Sequence, residues 1–528
     1  MSARGERAST ALFWALLLAQ LAALWALPAL ITQDGPIHLE IATVLRKLGA
    51  ADPAFARFFA INPRPEPNWL VYLPLAGLLR ITSPDVAEKL LVSVYFIVFP
   101  LAARYALRRL RPAAAWLAVF AFPFAASYPL YMGFYNFCFG IAGFFFAVGL
   151  HAASAAHPTP RATVSLALAL LLVSAAHPVA LLAAGLVLGC RALGEIWAGR
   201  AGAGLGTLLR RHLGPVALAS LPSLLFVLAF VAEEGARDFE RLKLVVLVRH
   251  LGSLYSIVSF SKRELWVSLP LALLCGLLAA RRLLHTARRG VTPADGYGLA
   301  TLGLLAAYFL APVGLAGGGY LNQRLLLFVA FALLLWLAAD ATLDRWRIPL
   351  GSLVALLTLL QLGLHFQSQA RLNADLAEYR GVASALTPGS TLLSASFAHR
   401  GSGGRAQSLR IEPFQHMAGR LTAERGVVDL NDYQADRGYF PVVYRAECDP
   451  YRVLGGIDEL EDEPPRVDLA RLPAAGCGDV DFVLVWGLGL GIHSAAEERP
   501  LLEQLAAGYE RVATSPRGLA ELYRRRAR

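Results

Sequence analysis

Apolar runs of helical length, parted by short polar connections, fill the first two thirds of the chain. A membrane-spanning helix needs roughly 20 mostly apolar residues, and about eleven runs come near that length. They are 11–32, 86–107, 113–131, 136–153, 163–176, 179–197, 213–232, 265–280, 297–315, 321–339 and 349–366. A further run, 69–81, is shorter and holds Pro74 and Arg80. It predicts a re-entrant or interfacial helix and no crossing. After Gln367 the pattern changes. The segments 392–396 and 481–485 read as buried strands and 372–386 and 500–508 as helices, with Gly, Pro and Asp clusters between them. The expected architecture is a polytopic α-helical membrane protein. A transmembrane module, 1–367, carries a first outer loop at 33–84 and is followed by a small α/β domain, 368–528.

Composition agrees with a membrane chain. Of 528 residues, 56% are hydrophobic and 16% charged, where soluble domains carry about 45–50% and about 25%. That excludes a disordered chain, a collagen-like fibre and an ordinary cytosolic enzyme, and 5 Cys exclude a disulfide-rich scaffold. The net charge of +11 is unevenly spread. Residues 1–367 hold 30 basic and 16 acidic side chains, and residues 368–528 hold 19 and 22. Excess positive charge within the apolar part sets membrane orientation and is no sign of nucleic-acid binding. Arg4 and Arg7 precede the first run, which reads as a retained signal-anchor with a cytoplasmic N-terminus. The clusters Arg108/Arg109/Arg111, Arg161, Arg200/Arg210/Arg211, Arg281/Arg282/Arg288/Arg289 and Arg345/Arg347 fall on alternate connections. All share the cytoplasmic side if 69–81 does not cross. The loops 33–84, 233–264 and 316–324 and the domain 368–528 then face the other side, where Cys448 and Cys477 are expected to pair.

The chemistry-bearing residues collect on that second side. Asp34 follows the first run in Gln33-Asp34-Gly35-Pro36-Ile37-His38-Leu39-Glu40. An acid so near hydrocarbon is costly unless solvated or paired, which makes it a functional candidate. Pro36 can open a helix with His38 and Glu40 on its first turns, and capping of that helix is the plainer role for Asp34. Asn62-Pro63-Arg64-Pro65-Glu66-Pro67-Asn68 is stiffened by alternate prolines that hold Asn62, Arg64, Glu66 and Asn68 in an extended frame. A rigid connector would look the same. His177-Pro178 breaks an otherwise continuous apolar stretch, and Gly317-Gly318-Gly319 leads to Gln323 and Arg324 at a span entrance. Arg suits bidentate phosphate binding, while snorkelling to the interface is its ordinary use. There is no phosphate-loop, Gly-x-Ser-x-Gly, His-Glu-x-x-His or zinc-spaced Cys/His motif.

An acid just past the first span, a proline-bound basic residue in the first loop, about eleven spans and an outward α/β domain together resemble the GT-C superfamily of membrane glycosyltransferases. The resemblance implies transfer of a sugar from a polyprenyl-phosphate carrier to a lipid, glycan or protein acceptor, with inversion, on the extracytoplasmic face of a bacterial inner membrane. It matches Asp34 to the family's catalytic carboxylate and Arg64 and Arg324 to carrier-phosphate ligands. His38, Glu40, Asn62, Glu66, Asn68, His177 and Gln323 are then sugar, acceptor or carrier contacts. Pro65-Glu66-Pro67 stands where the family has a basic-Pro-Pro-Leu run, and no clear acidic pair is present; a divalent metal stays open. Two other readings of the residues remain beside this one: a lipid or small-molecule translocator, which would line a polar path across the bilayer, and a membrane assembly factor acting through the C-terminal domain.

Overall fold

The computed structural model describes residues 3–155, 158–234, 240–455 and 464–527. Eight helices among them are long and apolar enough to cross a membrane by length and composition: Gly5–Trp25, Pro84–Leu110, Tyr135–Ser154, Pro178–Gly199, Leu205–Glu233, Lys262–Arg289, Leu321–Ala338 and Ala341–Ala385. The remaining three apolar runs also contain helix, over Pro112–Ala125, Pro160–Ala176 and Gly296–Leu310, but are shorter. The run 69–81 is helical only over Tyr72–Leu78. Seven residues rise about 10 Å, a third of a bilayer core.

The first apolar run departs from expectation. Its helix ends at Trp25, not at residue 32. The backbone groups released beyond Pro28 need partners, because hydrocarbon supplies none. Two side chains of the helix Arg347–Gly381 supply them. Gln369 accepts from the Ile31 N–H at 2.8 Å and donates to the Ile31 carbonyl at 2.7 Å. Asn373, one turn on, does the same for Ala29, at 3.0 Å in both directions. Each amide imitates a neighbouring strand, so the chain runs extended towards Asp34. This helix has 35 residues, about 52 Å. The boundary drawn after residue 367 falls inside it, and one rod joins the bundle to the C-terminal region.

The basic connections gather at one end of the bundle. Arg111 grips Asp344 with two bonds of 2.6 and 2.9 Å. Arg281 pairs with Asp340 at 2.6 Å and Arg282 with Asp295 at 2.9 Å. At the other end the first loop, the 240–264 segment, the glycine loop and the C-terminal region meet. Strand β1 (Phe59–Ile61) of the first loop pairs antiparallel with β4 (Val442–Tyr444), Leu409 N–H donates to the Phe260 carbonyl at 2.9 Å, and the Tyr439 hydroxyl donates to Gly317 at 3.2 Å.

The C-terminal region holds a five-stranded sheet in the order β3-β2-β5-β7-β6. Strands β3 (Val428–Asp429), β2 (Thr391–Ser396) and β5 (Phe482–Trp486) are parallel. In the edge hairpin, β7 (Ala520–Arg525) pairs antiparallel with β5, and β6 (Tyr509–Thr514) pairs antiparallel with β7. Every residue of β2 and β5 is buried, which makes β5 a short continuous apolar run and β2 a run of apolar and small hydroxyl residues. The hairpin has one exposed face and mixes charge with apolar residues, which hid it.

Cys448 and Cys477 are joined by a disulfide 29 residues apart in sequence. Closing a loop of that size contributes about 2–4 kcal/mol. Cys448→Ser is therefore expected to lower the thermal midpoint of the C-terminal region, and reductant should do the same to the native chain but not to the variant.

Candidate active site

The extended segment after the first helix turns sharply at Asp34. Gln33 and Asp34 N–H donate to the Tyr131 and Met132 carbonyls, both at 3.0 Å, so the turn is laid against residues 131–133 like a short strand. Asp34 precedes the helix Gly35–Gly49, yet its side chain makes no capping bond. Thr32 Oγ1 takes the Gly35 N–H instead, at 3.1 Å, which removes the capping explanation of Asp34. Its carboxylate is 5% exposed. Oδ2 accepts one long bond from the Tyr433 hydroxyl, 3.4 Å, and Oδ1 has no hydrogen-bond partner.

The close approach depends on Gly133. Its φ of +84° suits glycine, and a β-carbon there would lie 2.8 Å from Gly35 N and 2.9 Å from both Asp34 N and Asp34 Cβ. Gly133→Ala is expected to push the Asp34 turn aside and lower activity by roughly a hundredfold, the usual result of displacing a reacting group by about 1 Å. Gly77→Ala, which meets nothing within 4 Å, is the control.

Asp34 faces a cavity of about 890 Å³ between the bundle and the C-terminal region. Of the residues singled out from the sequence, His38, Asn68, His177 and Arg324 line it with Asp34. Arg324 is buried, with its guanidinium 4.3 Å from the Phe134 ring centre and Nη1 2.8 Å from His177 Nε2. The aromatic face holds a cation that has little water; the neutral His177 ring, whose Nδ1 accepts the Val179 N–H, carries its proton on Nε2 and does not accept from Arg324. His177 also takes the Val179 N–H on Nδ1, at 3.1 Å, so it is a helix cap as well as a cavity residue. Asn68 sits at φ +76°, a left-handed conformation that Asn tolerates. Its N–H donates to Ala175 at 2.9 Å and its carbonyl accepts from Asn136 at 2.6 Å. One wall is apolar, with Val179, Leu182, Leu186, Val227, Leu304 and Leu325. Leu182 is 53% exposed and Leu186 36%, so this wall continues onto the outside of the bundle.

Burial pushes the Asp34 carboxyl up to about 7, against the opposing pull of the Tyr433 hydrogen bond and the Arg324 charge. Burial holds the His38 imidazole down to about 4. His38 Nε2–H donates to the Gly133 carbonyl at 2.7 Å, and Nδ1 lies 3.0 Å from the Tyr72 hydroxyl.

Five predicted residues are not among those lining the cavity. Arg64 forms an ion pair with Glu233, both substantially exposed. The prolines fix its backbone but not the direction of its side chain, which is set by a loop distant in sequence. Glu66 stays on the same rigid segment without reaching the cavity. Asn62 donates to the Gly438 and Phe440 carbonyls at 2.7 and 3.0 Å and anchors the β1–β4 pairing. Gln323 accepts from Arg410. Glu40 is fully buried without a hydrogen-bond partner; burial and the nearby Asp429 and Asp432 push its carboxyl well above the usual range.

Sequence reasoning missed a whole wall. Gln415, His416, Tyr433, Gln434, Arg437 and Tyr439 come from the C-terminal region and line the cavity beside Asp34. The aromatic density of 433–444 was the available signal. Also missed was the scaffold behind the turn. Arg420, wholly buried, donates to Glu88 at 2.6 Å; Tyr135 donates to the same carboxylate at 2.6 Å; and Thr32 lies 2.9 Å from the Tyr135 hydroxyl.

The donor set does not fit a divalent cation. Asp34 is the one carboxylate among the described lining residues, and no group of three or more His, Cys, Asp or Glu among the described residues is placed to hold a metal.

No family model and no curated protein matches the chain. Solved structures do. ArnT from Cupriavidus metallidurans in the apo state superposes with a TM-score of 0.54 at 11% identity, over 98% of each chain. The same protein bound to undecaprenyl phosphate gives 0.54 at 12%, over 99% of this chain and 98% of that one. The oligosaccharyltransferase of Archaeoglobus fulgidus tethered to an acceptor peptide aligns more weakly, at 0.48 and 11%, over 98% of this chain and 74% of that one. At such identities the likeness is one of fold alone.

Proposed function

We propose that the chain is a membrane glycosyltransferase that moves a sugar from a polyprenyl-phosphate carrier to an acceptor hydroxyl or amine on the extracytoplasmic side. The observation that carries this reading is the shared cavity. A buried carboxylate with one oxygen unpartnered and a buried guanidinium face one space whose apolar wall runs out to the surface of the bundle. The prenyl chain lies along Val179, Leu182 and Leu186, with the phosphate at Arg324. Asp34 Oδ1 takes the proton of the acceptor as its oxygen or nitrogen attacks the anomeric carbon. The carbon–oxygen bond to phosphate breaks, and the charge developing on the leaving phosphate is met by Arg324. A single displacement of this kind inverts the anomeric centre.

That ArnT, a fold neighbour, binds undecaprenyl phosphate supports a polyprenyl-phosphate carrier here, and the clustering of polar groups at one end of the bundle favours transfer over passage across it. The test is release of polyprenyl phosphate from a polyprenyl-phosphate sugar by the purified protein. Acceptor-dependent release that is lost on Arg324→Gln supports the reading; no release from a panel of such donors overturns it.

The acid limb follows from Asp34. A carboxyl at about 7 is largely protonated below that pH and cannot accept a proton. kcat/KM is expected to fall about tenfold per pH unit below 7 and to level off above it. A pH profile of the free enzyme checks this.

A further inference from the structure

The geometry points to a hydrogen-bonded circuit, Asp34–Tyr433–Gln434–Tyr72–His38, that couples the ionisation of Asp34 to His38 and makes Tyr433 and Gln434 positioning residues for the carboxylate. The inference rests on the reading of Asp34 as the base. Each link is short in space and far in sequence. The Tyr433 hydroxyl lies 3.4 Å from Asp34 Oδ2, Gln434 Nε2 3.1 Å from the Tyr433 oxygen, and the Tyr72 hydroxyl 3.3 Å from Gln434 Oε1. His38 Nδ1 lies 3.0 Å from the Tyr72 oxygen, and His38 Nε2 2.7 Å from the Gly133 carbonyl.

Proton counting gives the circuit a direction. A carbonyl only accepts, so the Gly133 oxygen fixes the hydrogen on His38 Nε2. In the neutral ring Nδ1 is then an acceptor and takes the single hydroxyl proton of Tyr72. A glutamine amide presents an acceptor at one end and donors at the other, and a half-turn about its last bond exchanges them. With the Tyr72 proton spent on His38, the amide is best satisfied with its nitrogen towards Tyr72 and its oxygen towards Tyr433. The Tyr433 proton then goes to Gln434, and Asp34 must be the neutral acid, donating to the Tyr433 oxygen. When the Tyr72 proton points to Gln434 instead, the amide nitrogen donates to Tyr433 and the Tyr433 proton reaches Asp34, which favours the carboxylate. A contact three side chains away from Asp34 thus decides whether its carboxylate receives a hydrogen bond.

Burial raises the Asp34 carboxyl to about 7 and lowers the His38 imidazole to about 4, so near pH 7 His38 is neutral and Asp34 exchanges between its two forms. The other titratable or charged groups lining the cavity are His416, Arg437, Tyr439 and Tyr451 from the C-terminal region, Arg324 and His177 from the bundle, and Tyr135 and Tyr320. All are untouched by the variants below.

The circuit predicts a shift from a ring substitution that does not touch Asp34. His38→Phe removes the acceptor that claims the Tyr72 proton, turns that proton to Gln434, and should lower the Asp34 midpoint by about half a unit. Tyr72→Phe removes the only link between His38 and Gln434 in the circuit, so His38→Phe should not act in that background, nor in a Gln434→Leu background. The readout is the carboxyl band of Asp34 in difference infrared spectra of the free protein, titrated with pH and assigned by its loss in Asp34→Asn. Because no turnover is measured, absence of transferase activity and absence of coupling are separate results. A downward shift that vanishes with Tyr72→Phe and with Gln434→Leu supports the circuit. An upward shift, no shift, or a shift that persists in either background overturns it. If His38→Phe does not fold, His38→Leu takes its place.

Discussion

Asp34→Asn is expected to lower sugar transfer by at least about a hundredfold, the low end of what a positioned general base contributes. The substitution is nearly isosteric and the site is buried, so the fold should hold. In the ionised form Oδ2 accepts from Tyr433, and an amide oxygen can take that place. The lost function is the ability of Oδ1 to take a proton. Binding of polyprenyl phosphate should stay within about twofold, because the phosphate is assigned to Arg324 and removal of a neighbouring negative charge does not weaken an anion. Single-turnover transfer measured beside carrier binding separates the two effects. A less than tenfold loss of transfer in a folded protein would remove Asp34 from the chemistry.

The largest expected effect on stability belongs to Arg420. Its guanidinium is wholly buried and donates to Glu88, Asp85 and the Leu30 carbonyl. Glu88 is also fully buried, and its remaining donor is the Tyr135 hydroxyl. Arg420→Met keeps much of the volume but leaves the Glu88 carboxylate without its cation. Breaking one side of such a pair costs about 3–5 kcal/mol. The damage should also spread along Tyr135 and Thr32 to the Asp34 turn, so activity should fall with stability. Arg420→Met combined with Glu88→Gln removes both charges, and part of the stability should return, since neutral replacement of a buried pair is often close to neutral. Thermal unfolding of the two variants in the same detergent checks the order.

Much of the membrane architecture was legible because apolar run length is a one-dimensional signal. Asp34 and Arg324 were legible for a related reason: a charge at the edge of hydrocarbon is expensive, so its presence in the sequence already asks for an explanation. Residues whose placement depends on distant partners were not legible. The first run is apolar to residue 32, and only the amides of Gln369 and Asn373, more than 300 positions away, let the chain leave the helix at Trp25. Arg64 sits in the right loop but is drawn outward to Glu233. Tyr433 and Gln434 lie in an ordinary polar turn. They reach Asp34 because β1 pairs with β4 and draws residues 433–440 onto the first loop. An antiparallel pairing between two three-residue strands more than 370 positions apart leaves no local pattern from which that contact could be read.

The account stands on one cavity serving both carrier and acceptor, and a cryo-EM structure with a polyprenyl phosphate bound tests it most directly. It predicts phosphate density within hydrogen-bonding distance of Arg324, the prenyl chain along Leu182 and Leu186, and Asp34 Oδ1 open to the space beside the phosphate. Phosphate density among the basic connections at the far end of the bundle, or a prenyl chain threaded through the middle of the helices, would contradict it.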